Sequence, residues 1–484
     1  MEKYASMTGS VGLPSEKESP FKIHLVSLGC DKNLVDSEIM LGLLTESGYE
    51  LAFEPEQADV IIVNTCGFIR KAVRESVRVL LEMSACCDRS RDCDHDRVGR
   101  RVLIVTGCMA QRYQEEIFQE IPEVDAIVGV EDFHHIGEVI RRTLSGEKVA
   151  LFNAPLASTA STASSAPQKR IVSTPGGFAY LKIAEGCDNR CTYCAIPSIK
   201  GSYRSRTMDS LIAETRTLTA SGVREVILVA QDTALYGQDL GQDPSGRPNL
   251  AELLRRLAQI EELIWIRILY AYPENITGEL IAEMASNPKV CHYIDMPAQH
   301  INGGVLKRMG RKAGADLIRA LLAKLRDAMP DIALRTTLMT GFPGETEEEF
   351  QDLLAFLPEA RFDRLGVFTY SREEGTPAYQ MKNQIPRRIK ESRKNKLLGA
   401  QKTISGEIHQ ALVGKTLDVM TEGRVPDPKG PGGYVYCGRS YRDCHEIDGL
   451  VFFHSEEEKL SGEFLRIQIT EAYDYDLYGH ILES

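Results

Sequence analysis

The chain of 484 residues is poor in aromatic rings, at 7%, with a single tryptophan. It has no apolar run near the roughly 20 residues that a membrane-spanning helix needs. Its first twenty residues lack the apolar core of a secretory signal, so a cytoplasmic protein that engages no membrane is expected. Positive charge is in deficit: 57 Lys and Arg stand against 69 Asp and Glu, a net charge of −12. A phosphate backbone asks for a basic surface, so binding to DNA is not expected and a basic partner suits the chain better. Nothing else in the composition is short; 43% hydrophobic and 26% charged residues exclude disordered and fibrous classes. Cysteine is plentiful, with twelve residues. In a reducing compartment such thiols serve as metal ligands or catalysts before they serve as disulfide halves.

At roughly 150 residues per domain the length suggests about three domains, and two shifts in composition place them. Residues 154–167, APLASTASTASSAP, hold only Ala, Ser, Thr, Pro and one Leu. Such a segment cannot bury a core and reads as a flexible linker, drawn over 151–172. Near residue 405 a basic helical run, PRRIKESRKNKLLGAQKTI, gives way to short β-like segments. The expected domains are therefore 21–150, 173–404 and 405–484. In the first, FKIHLVSLG, ADVIIVNT and RVLIVTG alternate with helical patterns, which predicts an α/β domain with a flavodoxin-like parallel sheet. The second repeats the alternation six times, through FAYLKIA, REVILVAQ, IWIRILY, HYIDM, IALRTTLM and RLGVFTYS. Six βα units predict a TIM-like barrel sheet, closed or partly open. Thr346 and Glu349 make a capping box for one of its helices. The last 80 residues read as a small β-barrel.

Cys187, Cys191 and Cys194 stand in EGCDNRCTYCAIP, a CxxxCxxC run directly after the first strand of the middle domain. Three thiolates at this spacing can bind three irons of one cubane cluster and leave the fourth open. The competing readings are a zinc knuckle completed from afar, since structural zinc wants four ligands, or unliganded thiols. Cys30, Cys66 and Cys108 each follow one of the three apolar strands of the first domain, in SLGC, NTCG and TGCM. In a parallel sheet the carboxyl ends of the strands share one edge, so these three converge where doubly wound folds bind ligands. A second three-cysteine cluster is expected there. Cys86, Cys87 and Cys93 crowd a polar stretch and could form a further metal site with His95, or belong to a solvated loop insertion. Cys291, Cys437 and Cys444 show no ligand spacing and read as structural; His134 and His135 read as surface or satisfied histidines, and Trp265 as core.

With these triplets the chain resembles the radical S-adenosylmethionine (SAM) methylthiotransferases over residues 21–484, in that family's domain order. The resemblance implies an amino-terminal methylthiotransferase domain, a radical SAM core and a carboxy-terminal TRAM β-barrel. It implies two [4Fe-4S] clusters, one SAM-binding on Cys187, Cys191 and Cys194, one auxiliary on Cys30, Cys66 and Cys108. It also implies reductive cleavage of SAM, a methylthio group delivered to a substrate carbon radical, an external electron donor and a sulfur donor. Tyr193 resembles the aromatic residue near the adenine of SAM. Gln231 and Asp232, which end the second strand of the core, and Gly341 and Glu345 of GFPGE after the fifth, are further candidates for binding SAM. VAQDT stands where the family has a GGE-type methionine-binding motif. SLGCDKNLVDSE, VAQDTALYG, IDMPAQH and YDYDLYG resemble the branch that modifies an aspartate of ribosomal protein S twelve rather than tRNA adenosine. Asp31, where that branch has proline, and the 86–93 insertion depart from it. Residues 405–484 carry 7 Lys and Arg against 15 Asp and Glu, a net of 7 − 15 = −8, which favours a basic protein over RNA. A non-catalytic iron–sulfur electron carrier is the reading from a different class.

Overall fold

A computed structural model describes residues 21–87, 101–152, 170–241, 247–425 and 434–482. The first sheet takes β1 (Lys22–Ser27), β2 (Glu50–Leu51), β3 (Val60–Thr65), β4 (Val102–Gly107), β5 (Ala126–Val128) and β6 (Val149–Leu151) in the order β2-β1-β3-β4-β5-β6. All five pairings are parallel. This is the flavodoxin-like order with one strand added at an edge. β3 and β4 are buried at every residue, as β-branched central strands covered on both faces should be. Leu151 closes the sheet. The chain is next seen at Arg170, already bound to Glu38 and Glu214 at 2.6 and 2.8 Å. The expected linker of residues 154–167 lies between, outside the described residues.

The core sheet is made of β7 (Phe178–Lys182), β10 (Glu225–Val229), β11 (Trp265–Ile268), β12 (Val290–Asp295), β13 (Ala333–Thr340) and β14 (Arg364–Thr369), beside a two-stranded piece of β8 (Ala184–Glu185) and β9 (Arg204–Ser205). Its order is β14-β13-β12-β11-β10-β7, parallel throughout, with β7 and β14 as free edges. Of the two forms left open, closed or partly open, the barrel takes the open one. The capping box is formed: Thr346 Oγ1 accepts from Glu349 N at 3.2 Å and Thr346 N donates to Glu349 Oε2 at 3.0 Å. The basic helical run is the helix Arg387–Gln410, so it continues past residue 405.

The last five strands, β15 (Thr416–Val425), β16 (Tyr434–Ser440), β17 (Val451–Ser455), β18 (Phe464–Ala472) and β19 (Leu477–Ile481), close into a barrel. That barrel plugs the concave side of the open core. Successive strand residues face opposite ways: Ala179, Leu181, Val226 and Leu228 pack under the helices. Phe178, Tyr180, Ile227 and Val229 pack instead with Val35 and Ile39 of the first domain and Met420 and Cys444 of the last. The third domain also meets charges in the core strands. Glu225 accepts from Arg267 Nε at 2.7 Å and from Arg439 Nη2 of β16 at 2.8 Å, all three side chains fully buried. Trp265 stacks edge-on to Phe464, ring centroids 4.7 Å apart. Among the described residues no helix is long and apolar enough to cross a membrane.

Candidate active site

The three cysteines of the first domain sit where the strands end. Cys30 caps the helix Asp31–Glu46, Cys66 follows β3, and Cys108 opens the helix that follows β4. Each has a glycine beside it that the backbone path requires. Gly29 lies at φ +99°, where a Cβ would come within 2.7 Å of Cys66 Cβ; one on Gly67 would lie 2.7 Å from the Cys108 carbonyl. Gly107, at φ +91°, would meet Asn64 Oδ1 at 2.3 Å. Two asparagines staple these turns. Asn33 Nδ2 donates to Leu28 O and Thr65 O at 3.1 and 3.0 Å, and Asn64 Nδ2 to Asn33 O at 2.9 Å. Neither was singled out by sequence, because an asparagine in a turn carries no mark of what it ties together.

The other triplet lies on one loop that neighbouring segments sew down. Cys187 N donates to Gly201 O at 3.1 Å, Thr192 N to Met309 O at 2.9 Å, and Ala378 N to Thr192 O at 2.8 Å. Arg311 Nη1 points at Cys191 Sγ from 4.0 Å, and its guanidinium lies 4.2 Å over the Tyr272 ring. Arg311 and Tyr272 had no signal in sequence, since both reach the loop through the fold.

Burial pushes the thiols of Cys108 and Cys194 up to about 12 and that of Cys187 up to about 11. These groups therefore hold their protons at neutral pH, and a thiolate forms when a metal takes the proton's place. Among the described residues no three His, Cys, Asp or Glu side chains close into a cage for one ion. A zinc site with bonds of about 2.3 Å would bring thiolates to about 3.8 Å of one another. In a cubane each cysteine holds its own iron and the sulfurs stand further apart.

The remaining candidates divide by what they touch. Tyr193 lies beside Cys191 and packs edge-on to Phe342, 6.4 Å between centroids; burial holds its phenol proton well above the ordinary range. Gln231 Nε2 donates to Glu185 Oε1 at 2.7 Å, while its Oε1 is buried with no partner among the described residues. Thr340 Oγ1 is likewise buried and without a partner. These two orphaned acceptors, at the carboxyl ends of β10 and β13, suit a polar ligand such as SAM. Asp232 is fully buried and accepts from Asn275 Nδ2 at 2.7 Å and Tyr272 N at 3.3 Å. Gly341 and Glu345 hold each other: Gly341 N donates to Glu345 Oε2 at 2.6 Å, and Arg393 and His300 take up the rest of that carboxylate. Cys86 and Cys87 end the helix Arg70–Cys87, whereas Cys93 and His95 lie outside the described residues. Cys291 and Cys444 are buried in the core that the three domains share.

Three family models match in the order of the domains. They are the uncharacterized protein family UPF0004 over residues 22–129, the radical SAM superfamily over 181–357 and the TRAM domain over 413–482. A ribosomal protein uS12 methylthiotransferase RimO of Lachnoclostridium phytofermentans is 47% identical over 95% of this chain and 99% of its own length. The protein of that name from Geobacter sulfurreducens is 47% identical over 95% and 98%. The chain belongs to the RimO family. RimO chains are radical SAM methylthiotransferases, a class of enzyme that uses SAM and [4Fe-4S] clusters. A solved radical SAM methyltransferase, TsrM of Kitasatospora setae with cobalamin and a [4Fe-4S] cluster, shares the fold at a TM-score of 0.54 and 13% identity, over 87% of this chain and 81% of that one.

Proposed function

We propose that this chain adds a methylthio group to the β-carbon of an aspartate in ribosomal protein uS12, with Cys187, Cys191 and Cys194 holding the SAM-binding cluster and Cys30, Cys66 and Cys108 the auxiliary one. When bound, the two clusters supply one-electron chemistry on SAM and a seat for the sulfur that is transferred. The observation that carries this reading is the joining of the triplets by one short element. The helix Ile196–Lys200 starts two residues after Cys194, and its N-cap Ala195 and its Ile199 pack on Cys108. Two three-cysteine sites so linked suit a transfer from one to the other.

The chain's own residues bind, orient and exclude water. Tyr193, Gln231 and Thr340 offer SAM an aromatic wall and two acceptors. Gly341 and Glu345 support the same site as one hydrogen-bonded turn. A cleft of about 320 Å³ runs past Gly29, Cys30 and Asp31 to Tyr180 and to Glu446 of the TRAM barrel. Cys30, exposed on this side, makes the cleft the route for a protein loop. The net charge of −8 over residues 405–484 (7 − 15) draws a basic partner and repels RNA. An outside electron donor and sulfur donor complete the reaction, and the cytoplasm is the place of work.

Mass spectrometry of uS12 peptides, from cells lacking their own modifying enzyme, tests this. Expression of the chain is expected to add one methylthio group to the aspartate peptide. No gain, with iron shown to be loaded, moves the target to tRNA adenosine.

A further inference from the structure

The space between the triplets is occupied by a buried ionic network that the helix Ile196–Lys200 organises. At one end of the helix Ile196 N donates to Cys194 Sγ at 3.5 Å. At the other end Lys200, 2% exposed, places its Nζ 3.2 Å from Glu185 Oε2 and 3.5 Å from Asp36 Oδ2. Lys182 shares both carboxylates, 2.9 Å from Glu185 Oε2 and in contact with Asp36. Asp36 hangs from the helix that Cys30 caps, and Glu185 stands two residues ahead of Cys187. Each triplet thus contributes one carboxylate anchor.

Two ammonium groups and two carboxylates cancel, so the network is neutral by itself. The auxiliary site is not neutral once its cysteines are thiolates. Three negative sulfurs around Cys108, 5% exposed, need a fixed cation close by, because an uncompensated buried charge costs several kcal/mol. Lys200 is tied to this site by its position: Ile199, the residue before it, packs on Cys108, and its Nζ meets Asp36 of the helix that Cys30 caps. Lys32, next but one to Cys30, is engaged by Asp31, its Nζ 3.0 Å from Asp31 Oδ1 and 3.7 Å over the Tyr270 ring.

We propose that Lys200 is a positioning residue of the auxiliary site, whose ammonium, fixed between Asp36 and Glu185, offsets the three-thiolate cluster, raises its reduction potential and strengthens the hold on a small sulfur anion at the open iron. The proposal rests on Cys30, Cys66 and Cys108 being the auxiliary ligands. Net charge and hydrogen bonding are the terms by which a protein sets a cluster's potential, and Lys200 supplies the first from a rigid helix.

The test uses the full chain with Cys187, Cys191 and Cys194 changed to Ala, so that one cluster site remains. Potentiometric titration followed by electron paramagnetic resonance gives the midpoint, and sodium sulfide is the probe of the open iron. Lys200→Met is expected to keep its iron, shift the midpoint down and weaken sulfide by about tenfold. Lys200→Arg is expected to return most of both. Asp36→Asn, which removes a negative charge from the same ammonium, is expected to shift the midpoint up. An unchanged midpoint and sulfide affinity in Lys200→Met overturns the proposal. So does a Lys182→Met variant with equal effects, since the network as a whole would then be responsible. If Lys200→Met loses its iron, Asp36→Asn decides: an upward shift supports the role and a downward one overturns it. An iron-free parent chain instead refutes the ligand assignment on which the proposal stands.

Discussion

The two cysteine triplets, each proposed to hold one cluster, are assembled by opposite routes. Cys187, Cys191 and Cys194 share a loop of eight residues, so the chain's local path brings their thiols together. Cys30, Cys66 and Cys108 come from three separate strand ends and meet only when β1, β3 and β4 pair in register. A local site can keep its ligands if a distant part of the fold shifts. An assembled site is as good as its sheet, and it is held by glycines and asparagines that bind no metal. The assembled triplet therefore depends on more residues, while the local one depends on the segments that pin its loop.

Deleting each set of ligands separates the two most sharply. Cys187, Cys191 and Cys194 changed to Ala are expected to abolish reductive SAM cleavage while about half the iron of the wild type remains, as chromatography of 5′-deoxyadenosine and iron analysis will report. Changing Cys30, Cys66 and Cys108 is expected to spare SAM cleavage and stop methylthiolation. Gly107→Ala probes assembly without touching a ligand. The added Cβ meets Asn64 Oδ1 at 2.3 Å and Thr65 O at 2.4 Å. Strain of roughly 1–3 kcal/mol is expected to lower Tm and empty the auxiliary site selectively, read by iron content and calorimetry. Retention of both clusters by this variant would break the comparison.

Arg311→Met probes the local triplet in the same spirit. Loss of the guanidinium beside Cys191 is expected to slow SAM cleavage by about tenfold with iron unchanged, measured at saturating SAM. The smallest effect on either triplet is expected from Glu225→Gln. It breaks the buried contact between core and barrel, at roughly 3 kcal/mol, while both clusters load. The two arginines hold the Glu225 carboxyl below its ordinary value of 4.5. Its contribution is present above that value and is lost as pH falls beneath it, so the Tm gap between wild type and variant is expected to close in acid.

Much of this was legible in the sequence, for reasons specific to each element. The apolar runs that became β1, β3, β4 and the six core strands are long enough to show their period, and the capping box at Thr346 is a local signal. β5 and β6, at three residues each, are too short to rise above their surroundings. The six cysteines stood out because spacing and strand ends are both written along the chain. Lys200, Arg311 and Asn33 did not, because their partners lie far away in sequence. The plug was hidden for the same reason: Arg267 inside an apolar run gives no hint of Glu225 or of Ser440 and Tyr441, whose carbonyls it also binds.

The plug has a consequence for the order of synthesis. The concave side of the core carries Glu225 and Arg267, and Arg439 reaches them from the barrel, which is made after the core. While the ribosome is still extending the chain, the core has a charged, unsealed floor, and Trp265 has no Phe464 to cover it. The core is therefore sealed only when the barrel strands, Thr416 to Ile481, have emerged. Truncation from the carboxyl end leaves an unclosed protein, not a shorter enzyme.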